Sequence, residues 1–504
     1  MMTLTKKEYL KYQDQFRLGE LTTESLHKKS LNLSTMVNKN ILEAIQCLKE
    51  IDSDALNILK KKSKEIYQLQ KSVQLVLARG DKVYLSGCGA TGRLALSLET
   101  IFRQKFNSNQ VVGFMAGGDF ALIRSVESFE DNFSYGKRQL LELGFGKKDL
   151  LLSITEGGET SFVIGTAEQA NVTSKEKPYF IYCNPDEELS QIERSQNIIS
   201  SNKYNKINLC VGAMGISGST RMQATTVQMI AVGFALLYSH ESESLFNEEF
   251  ESFINSLQEM NLDFLENFIE KESKHYKEDG IITYRSHEDI AITLLTDTTE
   301  RSPTFSLFSF ENSSDETLSL SYLTLKEAAS VEKAWELLLK RKPRCLNWKD
   351  LDRDISERFL NGFDISPQSI IRRSSKNKHL VFDVDYFEER LLFQIDGIKH
   401  SHQVIDASLF KTHMMLKMIM NIHSTLVMGL LGRFEGNMMT YVRPSNFKLI
   451  DRAKRYIINL LEREGIIVLE EKVVDLIFEN LNAPSQSIVY LVVKEYKKIS
   501  SDNP

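Results

Sequence analysis

The stretch Val83 to Thr100, "VYLSGCGATGRLALSLET", limits this chain more than any other. A short apolar run breaks at Gly87, Gly89 and Gly92 and resumes with helical spacing, which is a strand, a tight turn and the start of a helix. Comparable apolar runs recur at "VVGFMAGG", "LLLSIT", "PYFIYC" and "INLCVG", with helical stretches between them. Runs of this kind, apolar on both faces, are the signature of a parallel sheet wrapped by helices. A second series follows at "IAITLLT", "FSLFSF", "PRCLNW", "HLVFDVD" and "RLLFQID", whose last two members are close enough to pair as a hairpin. The expected fold class is therefore α/β, with two tandem parallel-sheet sandwich domains, N-terminal helices and a C-terminal helical cap. At 504 residues the chain exceeds what one core usually supports. The division read from these patterns is an N-terminal helical segment 1–80, a first, ligand-binding domain 81–245, a helical connector and second domain 246–400, and a cap 401–504.

Charge and cysteine usage exclude several function classes. Lys and Arg number 62 against 68 Asp and Glu, and no stretch gathers the positive charge that a nucleic-acid surface needs. Five widely spaced cysteines read as reduced thiols. The amino-terminal "MMTLTKKEYLKYQDQF" has no apolar region of signal-peptide type, and the most apolar helix, 414–432, is interrupted by Lys417, Asn421 and His423. These features predict a cytoplasmic protein with neither a nucleic-acid nor a membrane partner. His400, His402, His413 and His423 offer no convincing set of metal ligands, so neither metal nor cofactor is expected.

Gly87, Gly89 and Gly92 formally satisfy G-x-G-x-x-G, yet the next strand ends in small residues and Asp119 comes late for a dinucleotide site. A nucleoside-triphosphate loop would need Lys-Ser or Lys-Thr after the glycines, which is missing. There remains a single phosphate or sugar, held by backbone N–H groups, the helix dipole and the Thr91 hydroxyl. "SITEGGETSF" supplies Ser153, Thr155, Thr160 and Ser161 at a second strand end, and "VGAMGISGSTRM" supplies Ser217, Ser219 and Thr220 at a third, with Arg221 expected just inside the following helix. Three strand ends of one sheet thus offer uncharged donors at the edge where open α/β sheets bind ligands.

"SGCGATGRL", "AGGDFALIRSVESFEDN", "TEGGETSFVIGTAEQA" and "ISGSTRMQATTVQ" resemble, in this order, the sugar isomerase (SIS) domain of the N-acetylmuramic acid 6-phosphate etherase and glucokinase regulatory protein family. "TERSPTF" and "LKMIMNIHSTLVMGLLGRFEGNMMTYVRPSNFKLIDRA" resemble the regulatory protein's second SIS domain and helical cap, and the likeness runs from about residue 19 to about 456. The resemblance implies a phosphosugar in the first SIS domain and a degenerate second one that replaces the partner subunit of an etherase dimer, giving a pseudo-symmetric monomer. It implies a ligand site formed by Gly89, Thr91, Thr155, Glu156, Gly158, Glu159, Thr160, Ser217, Ser219 and Arg221, closed from the cap by Lys417. Relative to the phosphate loop of related isomerases, Gly157 has lost a hydroxyl and Glu156 adds an acid. Glu156 and Glu159 would repel a dianion by a few kcal/mol if both faced it.

For catalysis, the resemblance carries over one glutamate, Glu130, as a proton-transfer residue. The second family glutamate falls at Ile101, and Glu99, two helical positions away, points to nearly the opposite side. The implied function is phosphosugar binding of the regulatory kind, a sensor of a phosphorylated hexose or amino sugar with a sugar kinase as partner. The alternative is a carbon–oxygen lyase of the etherase kind or a sugar-phosphate isomerase.

Overall fold

The computed structural model describes residues 5–13, 18–126, 129–313, 315, 317–351, 354–376, 378–404, 408–442, 444, 446–481 and 487–502. Glu127 and Ser128 of the quoted "SVESFEDN", and Arg443 and Ser445 of "YVRPSNF", lie outside the described residues. The chain opens with helices α1 (Lys6–Tyr12), α2 (Leu33–Lys39), α3 (Ile41–Lys60) and α4 (Ser63–Ala78). Asn40 starts α3 by accepting from the Glu43 N–H at 3.2 Å. Ile45, Leu48, Ile51, Ala55 and Leu59, three or four residues apart, then bury one face of it.

The first α/β unit runs β1 (Val83–Gly87), α5 (Gly89–Phe106), β2 (Val111–Met115), α6 (Phe133–Glu142), β3 (Leu150–Ile154), α7 (Ser161–Thr173), β4 (Tyr179–Tyr182), α8 (Asp186–Leu189), α9 (Glu193–Ile199), β5 (Asn205–Asn208) and α10 (Gln223–Leu237). All pairings in this sheet are parallel, in the order β2-β1-β3-β4-β5. Every residue of β1, β2, β3 and β4 is buried, which is why each reads as an unbroken apolar run. The chain leaves β1 toward β2 on one side and returns to β3 on the other, so a crevice opens between the carboxyl ends of β1 and β3.

Helices α11 (Glu243–Gln258) and α12 (Leu265–Lys277) lead into β6 (Ile281–Ser286), α13 (Ala291–Phe305), β7 (Ser321–Leu325), α14 (Val331–Leu339), α15 (Glu357–Leu360), α16 (Gln368–Ser374), β8 (His379–Phe387), β9 (Arg390–Ile395) and β10 (Ile398–Gln403). Here β6 sits between β7 and β8, all parallel, as β1 sits between β2 and β3. The likeness ends at β8, which turns back into antiparallel β9 and β10 where the first unit has a loop and a helix. The second sheet is therefore mixed.

Three of the five strands expected there are not strands. "IAITLLT" falls almost wholly within α13, whose first five residues are all buried, so the run has no helical period to betray it. "FSLFSF" spans the end of α13 and the loop beyond, and "PRCLNW" is irregular chain. The true strands β6, β7 and β10 lie at "IITYRS", "SYLTL" and "IKHSHQ". Nor is the first helix of the region read as a cap peripheral. Helix α17 (Leu409–Leu430) is buried from Phe410 to Gly429 and packs on α5 and α10 of the first unit and on α12 and α13 of the second. Outside it lie α18 (Phe447–Arg463), α19 (Glu470–Glu479) and α20 (Ile488–Asp502), which pack on one another. No helix among the described residues is long and apolar enough to cross a membrane.

Candidate functional site

At the β1/β3 crevice lies a cavity of about 120 Å³. Its floor is the turn after β1, with Cys88, Gly89 and Ala90, and the loop after β3, with Glu156, Gly157, Glu159 and Thr160. Gly89 opens α5 at φ +55°, a left-handed conformation that disfavours side chains. A Cβ on Gly87 would strike the Thr91 carbonyl, so the turn cannot be built from bulkier residues. Glu130 and the Gly218–Thr220 segment form two walls. The roof comes from elsewhere in sequence: Leu21, Thr23 and Glu24 near the amino terminus, and Lys448 and Arg452, one turn apart on α18.

The amino-terminal wall is tied to the sheet. Thr23 N–H donates to Asn184 Oδ1 at 3.0 Å, and Asn184 Nδ2 donates to the Gly157 carbonyl at 3.0 Å. The Thr22 N–H and hydroxyl both donate to Glu188. These bonds set Glu24 over the loop.

Charge in the cavity is almost completely paired. Burial alone would favour neutral Glu24, but Arg452, at 3.0 and 2.5 Å, and Arg455, at 3.1 Å, hold its carboxyl down at about 2. Glu159 follows the same pattern: burial opposes its charge, yet Lys448 at 2.9 Å and Arg194 at 2.5 Å keep it at about 2. Lys448 is raised in turn; its burial is outweighed by Glu159, Glu130 and Glu24. Glu130 is half-exposed and lies 3.7 Å from the same ammonium. Glu156 differs. Burial pushes it up to about 7, and the proximity of Glu300 adds to this, against the lowering effect of its own backbone N–H and of the Thr225 hydroxyl at 3.2 Å.

Of the residues expected to bind ligand, Gly89, Glu130, Glu156, Glu159 and Thr160 come together around this cavity. The others hold its walls. The Thr91 hydroxyl bonds back to Cys88, accepting from its N–H at 3.1 Å and donating to its carbonyl at 2.9 Å. Thr155 accepts from the Gly158 N–H at 3.2 Å and shares a 3.0 Å hydrogen bond with Thr160. Gly158, at φ +78°, lies under Leu189. Ser217 donates to the Glu24 carbonyl at 2.6 Å, and the Tyr456 hydroxyl donates to the Ser217 carbonyl. Ser219 is buried with no partner for its hydroxyl among the described residues.

Two cations depart from the expected geometry. Arg221 precedes α10 instead of opening it, and it pairs with Asp297 of α13 at 3.2 Å and with Thr425 of α17 at 2.9 Å. Lys417 faces a separate cavity of about 20 Å³ and donates to the Arg221 carbonyl at 3.0 Å and to Thr226 at 2.7 Å. The lysine that closes the first cavity is Lys448. Its signal was in the sequence, because "NFKLIDRA" places Lys448 and Arg452 four residues apart on one helical face. Glu24 carried none: nothing local to "GELTTES" indicates a fold back onto a strand end 130 residues away.

Glu99 does not reach the cavity. Its carboxylate pairs with Arg103, Arg341 and Arg344, the last two from the second unit, while Ile101 is core.

The site and the sheet order define a SIS-type α/β protein. Residues 68–171 match the family described as the glucokinase regulatory protein N-terminal SIS domain. An N-acetylmuramic acid 6-phosphate etherase of Bacillus mycoides is 31% identical over 223 residues, 43% of this chain and 69% of that protein. One from Photobacterium profundum is 30% identical over 220 residues, 43% of this chain and 67% of that protein. A tagatose-6-phosphate ketose/aldose isomerase structure from Escherichia coli aligns with a TM-score of 0.43 at 11% identity, over 81% of this chain and 99% of that one. The chain belongs to the N-acetylmuramic acid 6-phosphate etherase family.

Proposed function

We propose that the cavity at the β1/β3 crevice binds a phosphorylated hexose or amino sugar and that the protein acts as a sugar-phosphate sensor of the glucokinase-regulatory kind. One observation carries this reading: turns from two adjacent strand ends, an amino-terminal strap and the cations of α18 enclose one polar cavity. The N–H groups of Gly89 and Ala90 at the start of α5 and of Ser161 at the start of α7 have no intrahelical acceptor and suit a phosphate. Lys448 and Arg452 complete that end by exchanging Glu159 and Glu24 for the ligand, while the carboxylates accept from ring hydroxyls. Ligand binding then draws α18 against the first unit. The second unit, with a hairpin in place of the phosphate loop, takes the place of a partner subunit, so the protein is a pseudo-symmetric monomer with one site. A cytoplasmic sugar kinase is the partner that such a sensor would control. Thermal-shift screening against hexose and amino-sugar 6-phosphates tests the reading. Stabilisation by at least one of them, lost in Lys448→Met, is expected; no stabilisation by any overturns it.

A second reading, an etherase-like lyase or an isomerase, is favoured by Glu130 and Glu156 lining the same cavity, the latter ionising at about 7. A carboxyl that titrates near neutrality suits proton transfer. Incubation with N-acetylmuramic acid 6-phosphate or a hexose phosphate, followed by mass spectrometry, separates the two: turnover abolished by Glu130→Gln supports the enzyme, and unchanged substrate supports the sensor.

A further inference from the structure

Four carboxylates line the cavity, and three are already provided for. Glu24 has two arginines, Glu159 has Lys448 and Arg194, and Glu130 is half-exposed beside Lys448. Glu156 is 8% exposed and, among the described residues, makes no ion pair. Its hydrogen bond from a side chain comes from a neutral hydroxyl, that of Thr225. The chain that carries it is anchored. The Thr155 N–H donates to the Ile181 carbonyl and the Cys183 N–H donates to the Glu156 carbonyl, both at 3.0 Å, so the backbone at this point is held against the β4 strand and its continuation. The groups nearest in charge are Glu300 of α13, a second acid, and Lys448 of α18, which Glu159 occupies; Cys88 and Cys183 flank it as neutral thiols raised by burial.

A buried acid without a cation, opening into a cavity, leaves two routes to stability: it keeps its proton, or a ligand brings the missing positive charge. A ring hydroxyl gives it one neutral hydrogen bond. An ammonium gives a charge-assisted one, and an N-acetyl group gives an amide donor with no charge and added bulk. Resting on the sugar-phosphate reading above, we infer that Glu156 makes this cavity select a sugar phosphate carrying a free amine over its hydroxyl and N-acetyl counterparts. Glu156 is thus a specificity-determining residue, and the ligand class is that of hexosamine phosphates.

Titration calorimetry of the full chain at about neutral pH with glucosamine 6-phosphate, glucose 6-phosphate and N-acetylglucosamine 6-phosphate tests this. The amine is expected to bind about tenfold more tightly than either counterpart, and Glu156→Gln is expected to bring the three within about twofold of one another. Equal affinities in the unaltered protein, or a preference that survives Glu156→Gln, overturns the inference while leaving the sugar-phosphate reading in place. Absence of binding by all three overturns the inference, and overturns the sugar-phosphate reading with it when no other hexose or amino-sugar 6-phosphate stabilises the chain either. If the variant does not fold, the ratio in the unaltered protein decides.

Discussion

Glu156 shows how a binding residue trades against stability. Its carboxyl ionises at about 7 in the folded chain against an ordinary 4.5, so between these values the native state holds a proton that the unfolded chain has released. Stability therefore falls as pH rises through this window, by about 3 kcal/mol in full, and is unaffected by this group below it. Glu24 and Glu159 have the opposite sign. Held at about 2, they add stability that is complete above about pH 4.5 and is lost as pH falls toward 2. Glu156→Gln keeps an acceptor for Thr225 and removes the charge. It is expected to raise stability by about 2 kcal/mol at about pH 8 and to change little at about pH 4.5, measured by urea unfolding at both values. A loss at the higher pH would mean that a cation within the protein already serves this carboxyl.

Among the elements, α6 and α7 carry one wall and part of the floor of the cavity, since Glu130 precedes one and Thr160 caps the other. They cross on paired glycines. A Cβ at Gly165 would collide with the Phe133 carbonyl and one at Gly136 with the Phe162 carbonyl, and the Phe162 N–H donates to the Glu130 carbonyl at 3.0 Å. Gly165→Ala must push the helices apart. It is expected to cost about 2 to 3 kcal/mol in urea unfolding and to weaken ligand binding through Glu130, whereas a well-folded variant of unchanged affinity would show that the crossing does not set the wall. The first sheet was legible because β1 to β4 are buried on both faces and β1, β2 and β3 end in glycine or hydroxyl turns, whereas "INLCVG" overlaps the part-exposed β5 only at Ile207 and Asn208; the floor residues Gly89, Glu156, Glu159 and Thr160 could be named from the turns after β1 and β3. The second sheet was less so. In "IAITLLTDTTER" burial surrounds the helix and erases its period, while "IITYRS" and "SYLTL" mix polar and apolar residues as any half-buried segment does. The roof of the cavity was hidden for a different reason. Glu24, Lys448 and Arg452 meet only after more than 400 residues of intervening chain have folded, and no local pattern encodes a contact of that span.

Across the whole molecule, the two α/β units are joined through buried charged groups that pair across the boundary. Asp297 of α13 lies between Arg221 of the first unit, at 3.2 Å, and Arg301 of its own helix, at 2.9 Å. Arg301 continues to Glu272 at 2.7 Å and to the Tyr284 hydroxyl, and all of these groups are buried. At the other edge Glu99 and Asp119 of the first unit receive Arg341 and Arg344 of the second, and Trp348 stacks on Phe129 at 5.5 Å, next to the wall residue Glu130. Separating the units would strand Arg221, Asp119 and Arg341 without their ion partners, at a cost of about 3 to 5 kcal/mol for each broken buried pair, and would strip α17 of half its packing. The units should accordingly unfold together despite having separate sheets. Calorimetry is expected to give one transition whose calorimetric and van't Hoff enthalpies agree, and Asp297→Ala, which leaves Arg221 and Arg301 facing each other, should lower that transition as a whole. Two resolved transitions in the unaltered chain would mean that the ion network is incidental, and that occupancy of the first unit has no rigid route by which to reach the second.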